Sequence, residues 1–193
     1  MTEDERADEE PGVAAVVLDL LPHGRAEDDR PQYRKQPLVY AMDVDTFAVY
    51  ECIVSDTTDV SIGDRLDLES AEIVESRNPI DYEDLPSGAA SELEYAVEDL
   101  VADEEQRFVD FYNDAQPITL RLHQLDLLPG IGEKLRNNVI DERERGPFES
   151  FEELESRVSG LHNPEEIVVE RIMAELQEED LKYRTFVRSD AGE

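Results

Sequence analysis

The stretch of this chain whose residue types and spacing can do chemistry is Leu125-Asp126-Leu127-Leu128-Pro129-Gly130-Ile131-Gly132-Glu133-Lys134-Leu135. Gly130 and Gly132 stand two residues apart, so a turn there closes tightly and a second backbone can approach it without meeting a Cβ. A helical pattern starts near Gly132. The first amides of a helix have no intrahelical acceptor, and that end attracts anions such as phosphate. Lys134 adds a mobile positive charge on the same turn. Taken alone, the glycine pair also fits a helix C-cap followed by an ordinary turn.

The surrounding residues narrow that choice. One amphipathic pattern ends near Leu127, and a second, predicted as a helix over residues 132–144, stops at Gly146-Pro147. Ser150 and Glu153 are spaced as a capping box for a further short helix. Val158-Ser159-Gly160-Leu161-His162 then reads as a second hairpin. Asn163, Pro164 and Glu166 follow as N-cap, first-turn proline and capping-box acid. Ile167, Val168, Ile172 and Leu176 mark the inner face of a last helix. Over residues 117–178 this order resembles a tandem helix-hairpin-helix, a module that holds a nucleic-acid backbone without reading bases. The resemblance implies that amides near Gly130, Ile131, Gly132, Lys134, Leu135 and Arg136 meet phosphates. It also implies that backbone carbonyls of Asp126, Leu128 and Ile131 hold a K⁺ or Na⁺ ion bridging to phosphate. The second hairpin lacks the second glycine and is expected to be structural. His162 there is a solvated loop residue or a proton donor.

Composition sets the environment in which such a hairpin works. The chain has 193 residues, with 50 Asp+Glu against 18 Lys+Arg, for a net charge of −32 at pH 7. The lysines are Lys35, Lys134 and Lys182 alone. The acid runs through every segment and is not gathered in one tail. Such a fold repels itself in dilute buffer, and at molar salt a Debye length of about 3 Å removes most of the repulsion. An acid-rich, lysine-poor, arginine-preferring composition over intact hydrophobic periodicity looks like an extreme halophile's protein. An acidic nucleic-acid mimic and a chaperone-like acidic protein are the alternatives. Within residues 118–148, Arg121, Lys134, Arg136, Arg143 and Arg145 balance Asp126, Glu133, Asp141, Glu142 and Glu144, so the rest of the chain carries all of the −32. That neutral island surrounds the first hairpin.

Three segments position these residues. Residues 1–12 read as a disordered acidic arm, residues 13–78 as a β-rich domain and residues 79–193 as a helical domain. Strands are predicted over residues 13–21 and 65–74, with a hairpin formed by 38–42 and 47–55. The turn Ser61-Ile62-Gly63-Asp64 precedes the 65–74 strand. Short strands in so few residues suit a small closed barrel of oligonucleotide-binding (OB-like) or S1-like type, making the whole an α+β multidomain protein. The loop over residues 23–36 carries Arg25, Arg30, Arg34 and Lys35 beside Tyr33, which suits backbone charge plus base stacking. It equally suits a solvated loop balanced by Glu27, Asp28 and Asp29. Tyr40, Phe47 and Tyr50 read as strand core.

Helical spacing takes over after Asp81. One helix is predicted over residues 89–102. A second, capped by Asp103 and Gln106, holds Phe108, Val109, Phe111 and Tyr112 as core. A third starts at Pro117, carries His123 and enters the hairpin. The segment 181–187 reads as ordered.

Arg107-Phe108-Val109-Asp110-Phe111-Tyr112-Asn113-Asp114-Ala115, Ile118-Thr119-Leu120-Arg121-Leu122-His123-Gln124-Leu125, the first hairpin and Pro147-Phe148-Glu149-Ser150-Phe151 together resemble the archaeal "domain of unknown function 655" family. The likeness spans roughly residues 13–187 and is most specific over 107–151. It implies a barrel-like N-terminal domain, a C-terminal helix-hairpin-helix domain and RNA or nucleotide binding, and together with the acid-rich composition it points to a haloarchaeal member. Family genes lie near ribosomal and rRNA-modification genes, which implies ribosomal or rRNA-processing proteins as partners.

Other classes of function find little footing. The single Cys52 excludes an internal disulfide. No apolar run approaches the ~20 residues that span a bilayer, and residues 1–10 lack the apolar core of a signal peptide. A cytoplasmic protein without a membrane partner is expected. The three histidines make no zinc pattern. There is no P-loop, dinucleotide fingerprint or catalytic triad, and with so much acid, paired carboxylates carry no information. The expectation is a non-enzymatic, sequence-tolerant nucleic-acid-binding protein, acting on structured RNA in ribosome biogenesis or translation. Its rivals are a duplex-DNA accessory protein of repair or replication and a protein-interaction scaffold with a non-binding hairpin.

Overall fold

In the computed structural model, which describes residues 12–57 and 59–188, the described residues divide into two compact units, before and after the boundary at 92/93. Among the described residues there are five strands and five α-helices, an α+β protein. The acidic arm expected over residues 1–12 lies almost wholly outside the described residues.

The first unit is a curled antiparallel sheet, a half-barrel, in the order β4-β1-β2-β3-β5. The strands are β1 (Ala14–Leu21), β2 (Leu38–Asp43), β3 (Val49–Val54), β4 (Arg65–Asp67) and β5 (Val74–Ile80). Central β2 is buried at all six residues because neighbours and both faces are covered. Alternation along β1 and β3 sends Ala15, Val17, Tyr50, Cys52 and Val54 to one core with Val39, Ala41 and Leu66. Burial pushes the Cys52 thiol up to about 11, so it behaves as a small hydrophobe. Leu18 is an extra residue in β1 where the β1–β2 register shifts, and this bulge increases the local curl.

Two expectations change here. The sheet is open, with β4 and β5 as its edges, where a closed barrel was expected. The 65–74 strand is also two strands. Asp67 Oδ1 accepts the Glu69 amide at 2.9 Å, and the chain then turns through Ser70, whose carbonyl accepts the Ile73 and Val74 amides at 3.0 and 2.8 Å. β5, which begins after that turn, is hidden in sequence by its charged residues and by Pro79. An edge strand tolerates both.

In the second unit, α2 (Glu105–Asp114) buries Phe108, Val109 and Tyr112 at helical spacing. Its polar groups clamp later elements. Asn113 exchanges two hydrogen bonds with the backbone of Phe148, at 2.9 and 2.8 Å. Glu105 accepts the Phe151 amide at 2.7 Å, and the Tyr112 hydroxyl donates to the Pro164 carbonyl at 2.9 Å. These bonds fix the connector between α3 (Glu133–Glu144) and α4 (Phe151–Arg157), and the start of α5 (Pro164–Gln177). α1 (Ser87–Asp103) ends one residue before Glu104, and α2 has no side-chain cap, so the expected Asp103/Gln106 cap does not form.

The segment 181–187 is held by a buried carboxylate. Glu175 accepts the amides of Thr185, Phe186 and Val187 at 2.7, 2.9 and 2.9 Å, and Arg171 Nε at 2.8 Å. Phe186 packs its ring 4.9 Å from Phe111 and 5.9 Å from Phe108. Four donors satisfy both oxygens, which is what makes a fully buried charge tolerable.

Candidate functional site

The first hairpin is built upward from a single turn of 3₁₀ helix, Gln124–Leu127. Sequence reading placed a longer helix here, beginning at Pro117 and carrying His123. Residues 117–123 instead form a tight loop closed by a Pro117–His123 bridge. Thr119 is the cause: its hydroxyl accepts the Arg121 and Leu122 amides at 3.2 and 3.1 Å, diverting them from a helix. His123 is the N-cap and is buried. Its Nδ1 accepts the Leu125 amide at 3.1 Å, while Asp126 accepts the His123 amide at 2.8 Å. Burial, then the nearby Arg143 charge, holds its pKa below the ordinary histidine value.

The turn itself spans residues 128–131. The Ile131 amide donates to the Leu128 carbonyl at 3.2 Å. Pro129 sits at the second position and Gly130 at the third with φ +76°, the arrangement of a type II turn, which glycine adopts without strain. Ile131 and Leu128 point into the core. Gly132 caps α3 from extended backbone and has open space where a Cβ would stand. Its lack of a side chain leaves the helix start uncapped. Among the described residues the amides of Gly132, Glu133, Lys134 and Leu135 meet no acceptor. Three or four amides converging at an exposed, glycine-floored helix start can hold an anionic oxygen.

The neutral island divides once its contacts are known. Arg136 is paired with Asp126 at 2.8 Å, both partly buried, and so braces the hairpin. Arg143 caps α2 by donating to the Tyr112 and Ala115 carbonyls at 3.0 Å each. Arg145 is paired with Glu142 at 2.7 Å. That leaves Arg121 and Lys134 as the island's cations without a partner among the described residues. Glu133, exposed on the first turn, is the one group there that opposes an anion.

Of the three carbonyls expected to face a cation, Leu128's already accepts the Ile131 amide. Those of Asp126 and Ile131 receive no donor among the described residues. No group of three or more His, Cys, Asp or Glu side chains is placed to hold a metal among the described residues. No helix there is long and apolar enough to cross a membrane.

The second hairpin repeats the turn. The Leu161 amide donates to Val158 at 3.2 Å, and Gly160 has φ +90°. Asn138 of α3 donates to the Ser159 carbonyl at 2.9 Å, tying the two hairpins together. Asn163 adopts a left-handed conformation, φ 49°, and its side chain caps nothing, so the capping box with Glu166 does not form. The box at Ser150 forms with a variation: Ser150 Oγ accepts the Glu153 amide, but Glu153 reaches back to Glu149.

The basic loop of the first unit is largely consumed internally. Arg25 pairs with Glu51, which also accepts the Tyr40 hydroxyl at 2.9 Å. These bonds raise the Arg25 pKa, with the Glu51 hydrogen bond as the first cause. Arg30 is bonded to Asp28, whose carboxyl it holds down at about 2. Lys35 donates to the Arg25 carbonyl at 3.3 Å. Arg34 lies 5.6 Å from the exposed Tyr33 ring, and this pair stands outside the loop's ion pairs. The Glu51 link is visible only in register, because Tyr40 stands opposite Glu51 across β2 and β3. Sequence reading also missed the loop over residues 117–123, whose signal was the Pro117-Ile118-Thr119 run.

Known proteins share this architecture. A family model described as "Protein of unknown function (DUF655)" matches residues 12–188. The uncharacterized protein MJ0038 of Methanocaldococcus jannaschii is 38% identical over 182 residues, covering 92% of this chain and 81% of that one. The crystal structure of Af1531 from Archaeoglobus fulgidus, assigned to the same family, superposes with a TM-score of 0.81 at 36% identity, covering 91% of this chain and 99% of that one. With the match running almost from end to end, the chain belongs to the DUF655 family.

Proposed function

We propose that this protein is a non-enzymatic, sequence-tolerant nucleic-acid-binding protein that holds structured RNA by its phosphate backbone through the hairpin at residues 128–135. One observation carries the reading: an uncapped α3 start with unpartnered amides, flanked by the island's two unpartnered cations, Arg121 and Lys134. On this reading the half-barrel is an OB-like or S1-like domain and the second unit a tandem helix-hairpin-helix with a shortened first helix. The Arg34–Tyr33 pair is a secondary contact for an unpaired base. The acid excess supports a haloarchaeal protein working in the cytoplasm at molar salt.

Ordinary nucleic-acid binders lose affinity steeply with salt as their cations release counterions from phosphate. The island's two free cations on a −32 chain have little of that to give. Amides and a K⁺ ion held by the Asp126, Leu128 and Ile131 carbonyls carry the contact instead. Filter binding of a structured RNA is expected to be flat or to rise with KCl toward molar, and to weaken in tetramethylammonium chloride at equal ionic strength. Gly132→Ala, which places a methyl group on the phosphate path, is expected to weaken binding more than Lys134→Ala. Glu133→Gln should strengthen it. Folded variants that all bind as wild type does would remove the hairpin as the site, and tighter binding of duplex DNA would replace RNA as the ligand.

A protein-interaction scaffold is favoured by a different surface. A groove of about 780 Å³ in the second unit has Val169, Met173 and Ala174 on its floor and Glu94, Glu98 and Glu170 among its walls. It suits a basic, partly apolar segment and is compatible with an RNA-binding hairpin elsewhere on the unit.

A further inference from the structure

The loop over residues 117–123 presents Leu120 as the most exposed large hydrophobic residue among those described. The loop is stiff. Beside the two Thr119 hydroxyl bonds, the Ile118 and Thr119 amides both donate to the Leu122 carbonyl, at 2.8 and 3.0 Å. At its base the Gln124 amide donates to the Gln116 carbonyl at 2.9 Å, and Gln124 Oε1 accepts the Gln116 amide at 2.7 Å. A polar residue at such a tip would cost nothing, whereas an exposed leucine leaves its whole side chain in water. Arg121 follows it, exposed and without a partner among the described residues. At the foot of the loop is an open cleft of about 520 Å³, walled by Leu120, Leu122 and Ile140 on its apolar side and by Arg136 and Asn137 on its polar side. Glu133 also lines it, so the cleft is continuous with the first turn of α3.

We propose that the Leu120 loop is an apolar wedge that receives an unstacked nucleobase from the strand held at the hairpin, so that the preferred ligand is a stem interrupted by an unpaired base. This rests on the phosphate-holding reading of the hairpin. A rigid apolar tip next to a cation and an anion-holding helix start matches a strand with charge on one side and an exposed ring on the other. The Asn137 amide, with a donor and an acceptor, suits the polar edge of a base. A continuous duplex offers phosphates but no ring for the cleft, and a basic peptide would be repelled by Arg121 and Lys134.

The experiment compares two RNA hairpins, one fully paired and one with a single bulged 2-aminopurine, by filter binding and 2-aminopurine fluorescence in molar KCl. Wild type is expected to bind the bulged stem about tenfold more tightly and to change its fluorescence. Leu120→Ser, at a fully exposed position that folding does not use, is expected to abolish the preference and the fluorescence change while binding the paired stem unchanged. Leu120→Phe is expected to keep both, and Gly132→Ala to weaken both stems alike. If Leu120→Ser prefers the bulged stem as wild type does, the wedge is wrong and the hairpin grip survives. If wild type binds neither stem, nor their DNA counterparts, both readings fall.

Discussion

The two hairpins of the second unit share a turn and differ in everything that faces out of it. Residues 128–131 and 158–161 close through the same amide-to-carbonyl bond at 3.2 Å, each with glycine at positive φ, and each buries its first and last side chains, Leu128 and Ile131 or Val158 and Leu161. Beyond the turn, α3 starts from a glycine and carries Lys134 on its first turn. α5 starts from a left-handed Asn163, loses an amide to Pro164 and carries Glu165 and Glu166. The Pro164 carbonyl is taken by Tyr112, and the Asn163 amide lies 3.3 Å from a Glu155 oxygen. The core therefore demands the turn twice but leaves the outer face free to diverge. One copy keeps open amides in a neutral setting, and the other is closed and acidic, as expected of a structural partner.

Salt is the harshest way to strain that difference. Charge is spread everywhere except the island around the first hairpin, so withdrawing salt stresses α1, α4 and α5 first. In salt-free buffer, circular dichroism is expected to show most of the helix lost, with recovery as KCl approaches molar, because self-repulsion outweighs a net folding stability of about 5–15 kcal/mol. Full helicity without salt would overturn the halophile reading.

Next in size is the latch at the C-terminal end of α5. Glu175→Ala leaves Arg171 with the Tyr183 carbonyl alone and three amides without an acceptor, at a cost of about 3–5 kcal/mol. Thermal unfolding in molar KCl is expected to show a large drop in midpoint, whereas a fall under about 1 kcal/mol would mean that the C-terminal segment does not brace α5.

The glycines give a finer comparison. Gly160→Ala forces alanine into φ +90° and is expected to cost about 1–2 kcal/mol of stability and, on the proposed function, to leave RNA affinity unchanged. A methyl there meets Leu135 Cδ1 only at 3.8 Å, an ordinary contact, so the cost is backbone strain alone. If Gly160→Ala weakened binding as much as Gly132→Ala, the second hairpin would be a binding element and the asymmetry drawn above would be wrong.

The residues that punctuate the chain make much of this legible in the sequence alone. Gly130-Ile131-Gly132, Gly146-Pro147 and Ser150 marked turn, stop and cap where they occur, because such signals act within one turn of the backbone. What stayed hidden depended on distant partners or on side chains outcompeting the helix. Thr119 captured two amides and replaced a predicted helix with a loop. Asp67 and Ser70 split one predicted strand into two. Arg25 looks available in sequence and is spoken for in the fold, since Glu51 approaches only through the β2–β3 register, whereas the partner of Arg30, Asp28, is two residues away and was legible.

The smallest effect concerns pH and separates the hairpins by their histidines. His123 caps the turn before the first hairpin with an unprotonated Nδ1, and burial with Arg143 keeps its pKa below the ordinary value. His162 beside the second hairpin is exposed, 3.6 Å from Glu155, and holds no backbone amide. A histidine whose folded pKa is depressed contributes stability that is complete above its unfolded value of about 6.5 and is lost as pH falls below that value. Protonation would also turn Nδ1 from acceptor to donor and break the bond from the Leu125 amide. Asn at this position keeps a side-chain acceptor but does not titrate. Wild type is therefore expected to lose thermal stability faster than His123→Asn as pH drops through 6.5, the carboxylates titrating equally in both. Parallel curves for wild type and His123→Asn would mean that the cap tolerates its proton, and the first hairpin would then be no more sensitive to acid than the second.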